Sequence, residues 1–428
     1  CRATMSEKST MQDSSAAPSG ERTATSGHQA ETSTVEDQAS GTTTTTGSAP
    51  DGALQGTAEA NEEPYGAKTV EVEGVKITQY GKVRVLENVA ELSKSSGARA
   101  ETGYLSEDEI DEDLPPTLRF IAPEDVMDTS DPNMTHLEWL GTQGQKVTVI
   151  TNVEHLVNLE SFCLRSNFVR ECSALAPLTQ LVTLELYENR LNSLKGVECL
   201  VNLTTLDISY NRLRKLDPAI LASLTKLEKL YVAQNKISKI EGLDTLTNLK
   251  VLDLGMNRIK EMEGLESLVN LEELWLGRNK IEQIKGLDTL TSLVRLSVQS
   301  NRLRSIGQGL MKLTALEELY LSHQGIIAFE GLDATVHSKL DTLDVSNNLI
   351  SSLNGLPELP ALKELWMSYN KIATYEEVDK LQPFGNILET LYLDHNPIAD
   401  DFEYRQRLAK TVPSLTQIDA TMRFPRTT

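Results

Sequence analysis

The sequence predicts an α/β solenoid of stacked short repeats, and two observations support this prediction. The pattern L-x-x-L-x-L-x-x-N recurs eleven times between Leu159 and Asn396. The copies follow one another at intervals of 22 residues, stretched to 23, 24 or 26 at four steps. A unit this short cannot bury its apolar face alone, so consecutive units must stack around one continuous core.

Each copy specifies the same local structure, as the unit beginning at Leu249 illustrates. Leu252 and Leu254 alternate with polar or small residues, so they point inward from a short strand while Asp253 points to solvent. The amide of Asn257 can close the turn by bonding backbone groups of adjacent coils. The remaining segment is too short for a long helix. We therefore predict a leucine-rich-repeat solenoid with a parallel concave sheet and 3₁₀ or irregular turns on the convex side.

Composition divides the chain into four parts. Residues 1–60 contain few large apolar side chains and many Ser, Thr, Ala and Gly residues, so we predict a disordered leader. Residues 61–135 are predicted to be a mostly disordered or weakly structured acidic linker, in which 69–72 and 82–85 alternate like the strands of a hairpin. Residues 136–396 form the solenoid, with an N-terminal cap and eleven repeats, and 397–428 form its C-terminal cap.

The negative charge is concentrated before the repeats. Residues 1–135 hold 25 Asp or Glu against 10 Lys or Arg, a net of −15 out of −21 for the chain. Their most acidic part is the run Glu107–Asp113, which follows Ser106. The run can be a solvated spacer, or a regulatory site at which phosphorylation of Ser106 would add to the cluster.

Several classes of function are disfavoured. The histidines and cysteines lack metal-ligand spacing, and no phosphate loop, dinucleotide fingerprint or nucleophile elbow occurs, so we expect no metal, no cofactor and no enzyme. The net charge of −21 and the absence of a Lys/Arg stripe on the strand positions disfavour nucleic acid. No long apolar run and no secretory leader are found, so we expect neither a membrane span nor secretion.

The solvent-facing position of the strands is rich in aromatic and acidic residues. Down the stack it reads Cys163, Glu185, Asp207, Tyr231, Asp253, Trp275, Ser297, Tyr320, Asp344, Trp366 and Tyr392. Two residues earlier, the outward position adds Glu273, Glu318 and Glu364. Exposed aromatics on one face suggest a protein contact site, and neighbouring carboxylates suit a basic partner. Strand propensity and cross-strand stacking alone are the alternative explanation.

Residues 105–428 resemble the leucine-rich-repeat regulatory subunits of protein phosphatase 1, the regulatory subunit 7 family. The resemblance rests on Glu109–Pro116, Leu206–Ser209, Asn235–Glu241, Gln299–Leu303, Glu318–His323 and Gln417–Thr421. It implies that the concave face binds the phosphatase catalytic subunit. The implied contact residues are Asp207, Tyr231, Asp253, Trp275, Tyr320, Asp344, Glu364, Trp366 and Tyr392. Of these, Tyr231, Asp253 and Trp275 stand where the family has Phe, Glu and Phe.

The resemblance further implies a non-enzymatic regulator of the nucleus and cytoplasm that controls the activity, maturation or localisation of the phosphatase. A further phosphatase inhibitor or regulatory protein is a second expected partner. The alternative is a structural adaptor whose concave face binds a cytoskeletal or motor component. An enzyme with an unrecognised site ranks third.

Overall fold

The computed structural model describes residues 68–72, 75–80, 83–87, 121–142 and 145–422. The predicted leader (1–60), most of the predicted linker (61–135) and the run Glu107–Asp113 lie outside the described residues. The chain forms two units, a small sheet within the linker and the solenoid.

The small sheet has three antiparallel strands, β1 (Lys68–Val72), β2 (Val75–Tyr80) and β3 (Val83–Glu87), in that order. The strands expected at 69–72 and 82–85 fall on β1 and β3. The hairpin is instead a three-stranded meander, because the residues between the two turns also alternate, with Val75 and Ile77 two apart, and form β2.

The described part of the solenoid forms one sheet of 14 strands whose order follows the sequence. Each coil contributes one short strand, and neighbours pair in parallel until β17 turns back against β16. The strands are β4 (His136–Glu138), β5 (Ser161–Cys163), β6 (Thr183–Glu185), β7 (Thr205–Asp207), β8 (Lys229–Tyr231), β9 (Val251–Asp253), β10 (Glu273–Trp275), β11 (Arg295–Ser297), β12 (Glu318–Tyr320), β13 (Thr342–Asp344), β14 (Glu364–Trp366), β15 (Thr390–Tyr392), β16 (Gln417–Ile418) and β17 (Thr421–Met422).

The core is the stack of inward leucines, and it runs through every coil. In β9, Leu252 and the following Leu254 are fully buried, whereas Val251 and Asp253 on the other face remain partly exposed. The observed alternation confirms the predicted solenoid. In a stack of this kind the sheet lines the concave side.

The segments outside the sheet contain the predicted 3₁₀ and irregular turns, together with three short α-helices that the sequence did not predict. The α-helices are α1 (Pro218–Leu221), α2 (Tyr375–Asp379) and α3 (Tyr404–Thr411). The 3₁₀ helices are Pro123–Asp125, Ser173–Leu175, Val197–Cys199, Gln308–Leu310, Gln382–Phe384 and Pro397–Asp400. The longest helix in the described part of the chain has 8 residues, and none there could cross a membrane.

The repeat asparagines form a ladder that ties each coil to the one before. Asn257 accepts a hydrogen bond from the backbone N–H of Ile237 (3.0 Å) and donates to the carbonyls of Val232 (2.9 Å), Leu254 (3.1 Å) and Gly255 (3.1 Å). Gln324, which replaces an asparagine, keeps the two bonds to the preceding coil, from Leu303 N–H (2.9 Å) and to Val298 O (2.6 Å). The ladder therefore continues through this coil.

The residue before each ladder position adopts a left-handed backbone conformation, which the sequence did not lead us to expect. Examples are Met256 (φ 55°), Arg278 (φ 56°) and Tyr369 (φ 58°). Non-glycine residues rarely adopt this region. The asparagine bonds across the turn hold the backbone there, so the strain recurs once per coil.

Both ends of the stack are covered. At the first coil, the Trp139 indole N–H donates to Gln145 O (3.0 Å), and its ring packs against the core. At the last, Asp419 directly follows β16, in register with Tyr392, and accepts the Leu393 N–H (2.9 Å) and the Tyr404 hydroxyl (3.2 Å). Helix α3 thus closes the stack through Tyr404.

Candidate protein-binding site

The strand register brings the predicted site residues together. Parallel pairing aligns Asp207, Tyr231, Asp253, Trp275, Tyr320, Asp344, Trp366 and Tyr392, with Ser297 between Trp275 and Tyr320, in a single line across β7 to β15, here called the central row. The ninth predicted residue, Glu364, lies in the adjacent line with Glu273, Arg295 and Glu318. All nine therefore belong to one face of the sheet.

Four rings of the central row touch one another and form what we call the aromatic cluster: Trp275, Tyr320, Trp366 and Tyr392. Successive ring centroids are 6.4, 6.1 and 6.1 Å apart. Trp275 and Tyr320 sit two strands apart, where backbones are separated by about 9.6 Å. Their rings close this distance by leaning over the small residue Ser297. The cluster is continuous from β10 to β15, and each of its four side chains is partly exposed.

Each of the first three rings is held by a glutamate two residues earlier on its own strand. The indole N–H of Trp275 donates to Glu273 (3.2 Å), and that of Trp366 donates to Glu364 (3.1 Å). The Tyr320 hydroxyl donates to Glu318 at 2.7 Å. Burial and this hydrogen bond raise the pKa of Tyr320, so the hydroxyl remains a donor at neutral pH. The glutamates thus fix the ring orientations.

Arg295 occupies the centre of this surface, and the sequence analysis missed it. Its guanidinium bonds Glu273 (Nη1 to Oε1, 2.9 Å) and Glu318 (Nε to Oε2, 2.6 Å), and lies 5.8 Å from the Trp275 ring centroid. The hydrogen bond to Glu318 raises the pKa of Arg295, and the same bond lowers the pKa of Glu318. Reading the outward position two residues before Ser297 in register would have revealed it.

The aspartates of the central row accept backbone hydrogen bonds as well as contributing to the surface. Oδ1 of Asp207, Asp253 and Asp344 accepts the N–H two residues later, at 3.0, 2.8 and 2.9 Å. Asp207 and Asp344 are only 9% and 6% exposed, so little of either carboxylate can reach a partner. Burial raises the pKa of Asp207 and of Asp253. Asp253, which is half-buried, is the aspartate most open to a ligand.

The N-terminal end of the face is more mixed in charge. Arg165 lies 2.7 Å from Glu185 and 3.7 Å from Asp207, and with Lys229 and Tyr231 these residues line a shallow depression. Burial, together with the nearby Glu273 carboxylate, raises the pKa of Tyr231. The face that the sequence predicts to be aromatic and acidic therefore also carries the basic residues Arg165, Lys229 and Arg295.

The side chains of this face suit non-covalent binding of a partner. Among the described residues, no group of three or more His, Cys, Asp or Glu side chains could hold a metal ion. Burial raises the pKa of Cys163, at the start of the row, to about 12, so its thiol stays protonated at neutral pH and is a poor nucleophile. Aromatic rings with fixed carboxylates at their edges offer apolar area and hydrogen-bond acceptors instead.

Comparisons with known proteins agree with the fold. The family model described as Leucine rich repeat matches residues 201–259, and the one described as Leucine Rich repeats (2 copies) matches 247–289 and 338–381. A comparison with curated proteins finds no match.

Solved structures show the same architecture. An internalin of Listeria monocytogenes is 25% identical, with a TM-score of 0.56, and the match covers 70% of this chain and 89% of the internalin. A leucine-rich-repeat protein of Leptospira interrogans is 26% identical, with a TM-score of 0.51 and coverage of 64% and 76%. A TDR receptor shares the fold at 20% identity, with a TM-score of 0.52 and coverage of 69% and 56%. Residues 201–289 and 338–381 thus match leucine-rich-repeat models, and the chain has the leucine-rich-repeat fold, a solenoid of the kind that serves as a scaffold for protein–protein interaction.

Proposed function

We propose that this chain is a non-enzymatic regulatory subunit that binds the protein phosphatase 1 catalytic subunit on its concave face. It would control the activity, maturation or localisation of the phosphatase in the nucleus and cytoplasm. The observation that carries the proposal is the aromatic cluster, which lies where the family resemblance expects the contact.

The cluster has the properties of a binding hot spot. Trp and Tyr dominate the energetics of protein interfaces, and truncation of a central one commonly costs 2 kcal/mol or more. The glutamate bonds restrict the rings before any partner arrives, so less conformational entropy is lost on binding.

Glu364 is the carboxylate most available to a basic partner. Glu273 and Glu318 share the internal Arg295, whereas the strand neighbours of Glu364 are Thr342 and Thr390. A guanidinium of the partner placed beside Glu364 and over Trp366 would repeat the arrangement that Arg295 makes with Glu273 and Trp275. The contacts of Arg295 thus show how an arginine of the partner could bind a glutamate and a tryptophan of this face.

The size of the face also suits a folded partner. Eleven strands about 4.8 Å apart span roughly 50 Å before curvature, which is about the diameter of a globular domain of 300 residues. A catalytic domain could therefore rest against the whole sheet.

Co-purification from cells separates the proposal from its alternative. The tagged full chain is expected to carry phosphatase activity, and Glu364→Gln with Trp366→Ala should remove it. The control changes two exposed aromatics away from the central row, Tyr369→Ala and Phe402→Ala, which are 51% and 94% exposed. Recovery of tubulin or motor chains without phosphatase would instead support the adaptor hypothesis.

A further inference from the structure

A line of basic residues follows the asparagine ladder, and the sheet face makes no use of it. In six consecutive coils, the residue directly after the ladder asparagine is Arg190, Arg212, Lys236, Arg258, Lys280 and Arg302. We call this line the basic edge. In the next two coils the same position holds Gly325 and Leu349, so the line ends there.

The backbone stacks these residues in register. The N–H groups of Arg258, Lys280 and Arg302 donate to Ile237, Ile259 and Ile281 in the preceding coils, each at 2.8 Å. One cation is therefore presented per coil, at about 4.8 Å per step, so the six span roughly 24 Å. Because the strands are parallel, all six lie beyond the same end of the sheet.

The surroundings reinforce the positive charge. Flanking positions of the same coils add the basic residues Arg214, Lys215, Lys239, Lys260, Arg278 and Arg304, against the acidic residues Glu188, Glu261 and Glu282. All three acids are engaged: Glu188 accepts the Ser166 hydroxyl (2.6 Å), Glu261 bonds Lys285 (2.7 Å), and Glu282 lies 3.9 Å from Arg302. Among the cations, Lys215 pairs with Asp217 (3.0 Å) and Lys239 with Glu241 (3.9 Å), so the basic residues still outnumber the acids along the strip. A chain with a net charge of −21 thus carries one strongly positive strip.

The chain approaches the solenoid at the head of this strip. Ile121 O accepts the Thr148 N–H (2.8 Å), and Val147 O accepts the Phe168 N–H (2.8 Å). The next step in this series of bonds is the Arg190 N–H to Val169 O, also 2.8 Å. Ile121 therefore lies on the same edge as Arg190, a few coils before it.

We propose that the basic edge binds the chain's own acidic run, Glu107–Asp113. Six of its seven residues are Asp or Glu, and it ends eight residues before Ile121. Eight residues reach about 26–29 Å when extended, enough to bring Asp113 to Arg190. Seven extended residues span roughly 24 Å, the length of the basic edge.

Two considerations favour this occupant over a nucleic acid. A phosphate backbone longer than the strip would pass over the acidic residues of a chain whose net charge repels it. A tethered segment, in contrast, competes at an effective concentration of about 1 mM. Even a modest affinity of the acidic run then suffices for occupancy.

The test measures binding of a fluorescent peptide with the sequence of residues 106–113 to the full chain. One variant neutralises the run in place, through Glu107→Gln, Asp108→Asn, Glu109→Gln, Asp111→Asn, Glu112→Gln and Asp113→Asn. A second adds Arg258→Gln, Lys280→Gln and Arg302→Gln to this background. The matched control adds Lys226→Gln, Lys250→Gln and Lys312→Gln, which remove equal charge outside the basic edge.

The neutralised chain is expected to bind the peptide at least tenfold more tightly than the unaltered chain, because its own run no longer competes for the edge. The Arg258, Lys280 and Arg302 changes should abolish this binding, and the control should preserve it. Equal binding by the unaltered and neutralised chains would overturn the proposal and assign the edge to an external acidic protein. Failure of the neutralised chain to bind, equal losses in the two charge variants, or tighter binding of a poly(U) probe than of the peptide would also overturn it.

Discussion

Replacing a ladder asparagine with alanine should destabilise the solenoid by an amount that its hydrogen bonds allow us to work out. In Asn257→Ala, the buried Ile237 N–H loses its partner, which costs about 1–3 kcal/mol. The carbonyls lose less: Val232 O keeps its bond from Asn235, and Leu254 O keeps its bond from Asn279. The loss of these second bonds adds about 1 kcal/mol. We therefore expect a total cost of about 2–4 kcal/mol.

Urea unfolding followed by circular dichroism and by tryptophan fluorescence measures this cost. Tryptophan fluorescence reports on the coils that hold Trp139, Trp275 and Trp366, of which Trp275 lies in the coil after Asn257, while circular dichroism reports on the whole stack. The midpoint should fall in both signals. A loss below about 1 kcal/mol would refute the reasoning, because it would mean that the orphaned N–H finds water and that the ladder contributes little.

Three further substitutions test individual parts of the account. Gln324→Asn should add about 1 kcal/mol of stability in the same urea assay, because the shorter side chain can also bond the carbonyls of its own coil. Asp253→Asn should stabilise the fold at pH 7 and less so towards pH 4: burial raises the pKa of Asp253, so its ionised form costs stability that is regained as pH falls through that pKa. An unfolding free-energy difference that does not vary with pH would contradict this. Gly286→Ala should cost about 1–3 kcal/mol by thermal unfolding, since φ is +71° and the added Cβ would lie 2.6 Å from Met262 O; Gly325→Ala, whose Cβ would lie 3.4 Å from Leu303 O, is the control.

The fold could be predicted from the sequence because every repeat places its inward leucines and its turn asparagine at the same positions. A period of 22 with inward leucines determines which residues share a face, so the alignment of Asp253, Trp275 and Tyr320 along the sheet followed from counting. The step of 26 residues before β15 also left the register intact, because the added residues form α2 and a 3₁₀ turn on the convex side.

Other features depend on side-chain reach or backbone conformation, which a period does not encode. Nothing in Met256, Arg278 or Tyr369 marks a left-handed residue, since the conformation is imposed by the neighbouring asparagine. The near-complete burial of Asp344, which lies between Tyr320 and Trp366 in the strand register, is likewise not encoded by the period.

The basic edge and Arg295 were not predicted, for a different reason. The predicted concave face comprises only the strand positions, whereas the basic edge lies just beyond the strands. Its signal, a Lys or Arg directly after six consecutive ladder asparagines, is visible at the same 22-residue period. Arg295 was likewise readable as the one arginine in line with Glu273 and Glu318, but its bonds to both carboxylates required coordinates.

We propose that the aromatic cluster binds the protein phosphatase 1 catalytic subunit, and a calorimetric titration of the two purified proteins measures this binding. The unaltered chain should bind, and Trp275→Ala with Trp366→Ala should weaken binding by at least 100-fold, since each central aromatic contributes about 2 kcal/mol. The control pair Tyr369→Ala and Phe402→Ala should bind as the unaltered chain does. Absence of binding by the folded, unaltered chain, or equal binding by the tryptophan double variant, would contradict the account.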